Sequence, residues 1–288
     1  MPQPSLLSSP LTTARLAASL LRLPLQAGTR NTGDLTAAGM GSSLDFKDHR
    51  PYLPGDDPRY INWQAYARTG SYTLKVFHQE ASPAVDLLLD GSRSMTFDPA
   101  KKQRVLELFY FCLECAGRSS AALRVHVAEG GAIRPLAPDA LQSGASPFSD
   151  TPPAATALAL GSVPWRAGSV RVVLSDLLFP RDQPGVFFPL GRDRGRPLIL
   201  VPFCEAESDP DWSGQIEFID CETTATRTQK VSSSHLQKYL RIYREHFELW
   251  REAARQSGAP LARVAASGDL VDALKAEALP RGAVELRS

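Results

Sequence analysis

Five short runs rich in Val, Leu and Ile recur after residue 81, at 85–90, 123–128, 170–175, 198–203 and 261–265. Each is too short for a buried helix and continuous enough for a strand covered on both faces. Segments of helical period lie among them. Residues 101–117 carry Val105, Leu108 and Cys112 on one stripe, and residues 234–256 keep Leu236, Leu240, Tyr243, Phe247 and Trp250 in step. Ser234 and Gln237 have capping-box spacing, and Gly258 is placed to end that helix. A last helix is expected at 270–278, a short one at 156–160, an edge strand near Ile133, and a hairpin from 215–220 and 226–231. Alternation of this kind predicts an α/β fold: a mostly parallel, Rossmann-like sheet with helices on both faces.

Three regions follow. Residues 1–44 read as a lead-in with an amphipathic helix over 13–23 and a Gly-rich loop over 28–43. Residues 45–80 are turn-rich, with a Pro54-Gly55-Asp56-Asp57-Pro58 cluster and a strand at 72–77. Residues 81–288 form the α/β domain. Within 45–80, Asp56 and Asp57 are expected to cap turns and pair with Arg59 and Arg68, with Trp63 and Tyr66 packed on the sheet.

Composition excludes several classes. The 288 residues are 43% hydrophobic and 22% charged, with a formal net charge of +1, so no overall field favours nucleic acid or an anionic membrane. No run approaches the ~18 apolar residues of a membrane span, and a cytoplasmic, reduced protein is the expectation. Cys112 and Cys115 form a C-x-x-C inside an apolar helical run without a second Cys or His pair, which reads as core packing.

The chemistry concentrates at Asp90-Gly91-Ser92-Arg93-Ser94-Met95, where the first core strand ends. In an extended segment the spacing of two points Asp90, Ser92 and Ser94 to one side. Asp176 ends the 170–175 strand in the same way, and in parallel sheets ligands gather beyond such strand ends. Two carboxylates and two hydroxyls are hard oxygen donors, suited to Mg²⁺ or Mn²⁺. The competing reading is turn chemistry alone, because Asp and Ser cap backbone N–H groups readily.

Asp-x-Ser-x-Ser after an apolar strand, with a later Asp after another, resembles the metal-ion-dependent adhesion site of von Willebrand factor A domains. That family also uses a loop Thr, for which Thr151 and Thr156 are the candidates, with Thr156 the one expected. Upstream, Tyr52-Leu53-Pro54-Gly55-Asp56-Asp57-Pro58-Arg59, then Ile61-Asn62-Trp63 and Ala67-Arg68-Thr69-Gly70, resembles the signature of the bacterial family called domain of unknown function 58. Asn62 departs from that family's usual Asp, and His78-Gln79-Glu80 from a more acidic stretch. Members carry this segment ahead of a von Willebrand A-like domain and are typically encoded beside MoxR-type AAA+ ATPases.

The resemblance implies a non-enzymatic, metal-dependent protein-binding module, an adaptor or chaperone component for such an ATPase or its client. Mg²⁺ is then held by Asp90, Ser92, Ser94, Thr156 and Asp176, with Arg59, Trp63, Arg68 and Arg93 as partner-contact candidates. The alternatives are a Mg²⁺-dependent hydrolase using Asp90 and Asp176, and a metal-free scaffold. No phosphate loop of the G-x-x-x-x-G-K-[ST] type and no G-x-S-x-G nucleophile turn is present.

Overall fold

The computed structural model describes residues 9–25, 44–79, 82–137, 146–149, 158–179 and 185–287. The first elements are α1 (Pro10–Leu20), β1 (Leu21–Arg22), β2 (Leu44–Pro51), α2 (Trp63–Thr69), β3 (Thr73–Gln79), β4 (Ala84–Asp90), α3 (Pro99–Arg118), β5 (Ala122–Glu129) and β6 (Ala132–Leu136). They are followed by β7 (Val170–Leu174), α4 (Phe188–Gly191), β8 (Arg196–Phe203), α5 (Glu205–Ser208), β9 (Gly214–Ile219) and β10 (Thr226–Val231). Then come α6 (Ser233–Gln256), β11 (Leu261–Ala265), α7 (Leu270–Ala273) and β12 (Glu285–Leu286). Two compact units result, one from the chain up to Leu25 together with Ala84 onward, the other lying between them in sequence.

The larger unit is a mixed α/β fold on a six-stranded sheet of order β11-β8-β7-β4-β5-β6. Every neighbouring pair is parallel except β5 with β6. The alternation inside β4 explains its two covered faces. Val85, Leu87 and Leu89 join a core with Val105, Leu108 and Cys112 of α3, whereas Leu88 joins a second core with Tyr243, Phe247 and Trp250 of α6. Cys112 and Cys115 are fully buried, and burial pushes both thiols up, Cys115 to about 12, so the pair is packing material.

Three local expectations are revised. The helix expected over 13–23 stops at Leu20, and the chain turns extended to pair β1 with β12, Leu21 opposite Leu286. Ala14, Ala17 and Ala18 are fully buried in the same core as α3, because small side chains let α1 approach closely. Residues 10–25 thus pack with the sheet, although the sequence set 1–44 apart. The long helix is capped by Ser232, not Ser234: Ser232 is extended after β10, and its Oγ accepts from the His235 N–H. The short helix expected at 156–160 falls partly outside the described residues, and Leu160–Ser162 forms a single 3-10 turn.

In the smaller unit β2 and β3 pair antiparallel with a bulge between Phe46 and Asp48. Asn62 caps α2 by accepting from the Ala65 N–H at 3.1 Å, and Gly70 ends it at φ 70°. Asp57 pairs with Arg59 as expected, at 2.6 Å. Asp56 pairs with Arg50, also at 2.6 Å, because both of its oxygens face that guanidinium across the turn; Arg68 instead ends α2, where a cation suits the helix dipole. Tyr66 stacks on Tyr72 at 4.4 Å, but Trp63 is 58% exposed and meets both only edge-on.

Candidate metal centre

From β4 the chain crosses by α3 to β5 on one side, and later elements return to β7 on the other. The strand order therefore reverses at the carboxyl ends of β4 and β7, where neighbouring crossovers diverge and leave a crevice. Asp90 is the last residue of β4, and Asp176 lies two residues beyond β7.

Gly91 makes the exit from β4 possible. Its N–H donates to the Ala128 carbonyl at 2.9 Å, and a Cβ there would lie 2.6 Å from Glu129 Cγ and 2.8 Å from Val127 Cγ1. The strand ends at Asp90, and of the extended backbone expected through Ser94, Ser92 keeps it at φ −67°, ψ 160° while Arg93 and Ser94 do not. A 3-10 turn over Arg93–Met95 follows, and it is this turn that brings the Ser92 and Ser94 hydroxyls into a 3.0 Å hydrogen bond. Asp98 then caps α3 by accepting from the Lys101 N–H at 2.8 Å, with Pro99 in the first turn.

The structure brings Asp90, Ser92, Ser94 and Asp176 to this edge, all buried, with exposures from 2% to 9%. One Asp90 oxygen accepts from the Ser92 N–H at 3.0 Å, and the other from the Ser175 hydroxyl at 2.7 Å. Asp176 accepts from the Leu178 N–H at 3.1 Å, while its own N–H donates to the Met95 sulfur at 3.2 Å, joining the two loops. Leu177 between them is held at φ 55°, unusual for a leucine, and its carbonyl accepts from Trp250 Nε1 of α6 at 3.1 Å. Thr151 and Thr156 lie outside the described residues.

Four participants escaped the sequence reading: Lys101, Ser175, Glu207 and Glu222. The Lys101 ammonium, 1% exposed, donates to Asp176 Oδ2 at 2.7 Å and to Glu207 Oε1 at 2.6 Å. Burial opposes that charge, but Asp176 and Glu207 more than offset it and hold Lys101 above the ordinary lysine range. One signal pointed to it: a lysine in the first turn opposes the helix dipole and calls for an acidic partner. Arg93 donates to the Glu222 carbonyl at 2.8 Å, and Glu222 Oε1 accepts from the Ser94 N–H at 2.9 Å. Arg59, Trp63 and Arg68 are exposed in the other unit.

The two carboxylates of the motif are treated unequally. Asp176 has an ammonium on it; among the described residues no Lys, Arg or His forms an ion pair with Asp90. Burial, and then the charge of Asp176, push the Asp90 carboxyl up to about 6, against the hydrogen bonds from Ser175 and Ser92. Asp90 with the Ser92 and Ser94 hydroxyls is thus an uncompensated hard-oxygen set, which suits Mg²⁺ or Mn²⁺ in kind. Among the described residues no three His, Cys, Asp or Glu side chains group as a metal shell, so carboxylates alone do not build the site.

Fold and site together define a doubly wound α/β protein with an acid–hydroxyl cluster at its strand-order reversal. Residues 48–117 match the family described as "Protein of unknown function DUF58", a span that holds the motif and all but the last residue of α3. This supports the family reading for that segment. No curated protein and no solved structure matches the chain. No helix among the described residues is long and apolar enough to cross a membrane.

Proposed function

We propose that the larger unit is a von Willebrand factor A-like, metal-dependent protein-binding module that works without turnover. Asp90, Ser92 and Ser94 would hold Mg²⁺ or Mn²⁺, with Thr156 or Thr151 as the expected further donor. Asp176, clamped to Lys101, adds charge beside them. The bound ion supplies a Lewis-acidic position for a carboxylate of the partner, which buried acids alone would repel. Resemblance to the family makes a MoxR-type AAA+ ATPase, or a client it remodels, the partner, and the cytoplasm the place of action. The observation that supports this reading most directly is the buried Asp90 carboxylate without an ion-pair partner, next to two hydroxyls 3.0 Å apart.

The test is capture from the protein's own cell lysate with tagged wild type and Asp90→Asn, each with Mg²⁺ or with chelator. Retention of an AAA+ ATPase by wild type with Mg²⁺ alone is the expected result. Equal retention in all four conditions would remove the ion from the interaction.

A further inference from the structure

Glu222 comes to the motif loop from 128 residues away in the chain. It sits in the turn of the β9–β10 hairpin. Asp220 shapes that turn by accepting from the Glu222 N–H at 2.8 Å and the Thr223 N–H at 3.3 Å, with Thr224 at φ 63°. Among the described residues the two strands pair only with each other, Gly214 opposite Val231, and most of their residues are exposed. A lone two-stranded ribbon is marginally stable in water. This one is braced by aromatic packing: Trp212, just ahead of β9, packs on Phe218 near the turn at 5.0 Å and on Tyr239 of α6 at 4.8 Å. It is held at its tip by the two bonds from Ser94 and Arg93. Both tip contacts fall inside the Asp90–Met95 loop, one residue or less from the candidate ligands.

We propose that the Ser94 amide and the Arg93 guanidinium form a receiving position for an acidic turn, occupied in cis by the hairpin tip through Glu222, and that a partner docks by presenting its own acidic turn there and displacing the tip. The pairing of a backbone N–H with a carboxylate, and of a guanidinium with a carbonyl, is selective for a turn carrying an acid and rejects a basic or apolar one. In the closed state Glu222 lies against the Ser94 amide, and Ser92 and Ser94 are buried. Opening requires the Glu222 contacts with Ser94 and Arg93 and the Trp212 packing to yield, and the hairpin strands belong to a sheet separate from the central one. This inference rests on the proposed function in one respect, that partners dock at the Asp90 edge. Its chemistry requires no ion.

Cys221 reports the position of the tip, since its thiol lies 3.9 Å from the Glu222 carboxylate. The test is alkylation of the full chain by iodoacetamide in chelator, with modification of Cys221 followed by peptide mass spectrometry. Glu222→Gln keeps an acceptor for the Ser94 N–H but removes its charge, which weakens the latch. Burial and then the Glu222 charge push the Cys221 thiol up, so rates are compared per thiolate from their pH profiles. On that basis the Cys221 rate is expected to rise severalfold. Cys112 and Cys115, buried in the core, stay unmodified and show that the fold is intact. A synthetic peptide copying residues 216–228, with Ser for its Cys, is expected to accelerate alkylation of wild-type Cys221. The same peptide with Gln for its Glu222 is not. Equal Cys221 rates in wild type and Glu222→Gln would overturn the latch, and no acceleration by the acidic peptide would overturn the receiving position. Because chelator is present throughout, failure here leaves the metal reading standing, and loss of Mg²⁺ dependence in the capture experiment leaves this one standing.

Discussion

Replacing Asp90 by Asn should stabilise the metal-free protein at neutral pH, an unusual sign for a substitution at a buried polar residue. The carboxyl rises from 3.8 to about 6 on folding. For an acid the direction matters. Below about pH 4 both states hold the proton and nothing is lost. Between about pH 4 and pH 6 the folded state keeps a proton that the unfolded state has released, so stability falls as pH rises; above about pH 6 the full penalty applies. The shift corresponds to ~3 kcal/mol. Asn can still accept from the Ser92 N–H, and the Ser175 hydroxyl can rotate to accept from the new amide, so the hydrogen bonds largely survive. The expected gain is ~1–3 kcal/mol at neutral pH, vanishing below about pH 4. Urea denaturation of both proteins in chelator across that range measures it. Excess Mg²⁺ should then raise the wild-type midpoint and leave Asp90→Asn unmoved, because only the former carries the charge the ion would satisfy. An Asn variant less stable than wild type at neutral pH, with an unchanged pH slope, would refute the account of Asp90 as an uncompensated charge.

Two further substitutions probe what surrounds it. Lys101→Met leaves Asp176 buried without its ammonium and should cost ~3–5 kcal/mol by the same denaturation assay. Gly91→Ala should cost ~1–3 kcal/mol, since its Cβ meets Glu129 and Val127, and Glu129 cannot swing aside while Arg134 and Ser149 hold its carboxylate at 2.9–3.1 Å.

The legible part of this molecule is the part built from continuous runs. Residues 85–90 and 170–175 announce buried strands, and a terminal or following Asp in each is enough to place two acids at one sheet edge. Residues that reach this edge from other elements are legible at most as a hint, such as a lysine placed against the dipole of its helix. Lys101 looks like the solvent face of an amphipathic helix until Asp98 and Pro99 are seen to start that helix directly above the strand ends. Glu207 and Glu222 sit in segments whose sequences specify only a short helix and a hairpin, and their arrival depends on how those pieces dock. The convergence of Ser92 and Ser94 was expected for the wrong backbone. Extended spacing suggested it, and a 3-10 turn produces it, because the chain must turn sharply after Gly91 to begin α3.

That turn also separates two acids which a motif treats as equivalent. The start of α3 brings the positive end of a helix and the Lys101 ammonium to the same side of the crevice, and Asp176 is the acid that faces them. Asp176 is therefore an internal counter-ion, whereas Asp90 is available to an outside one. Asp176→Asn should destabilise the protein where Asp90→Asn stabilises it, because the amide leaves Lys101 buried with Glu207 alone. Its expected cost is ~2–4 kcal/mol in chelator at neutral pH, from breaking a buried pair. Lys101→Met combined with Asp176→Asn should recover much of the loss, since removing both charges is far cheaper than stranding one. Strictly additive losses in the double variant would show that the two side chains do not act as a pair, and the division of roles between the acids would fall with it.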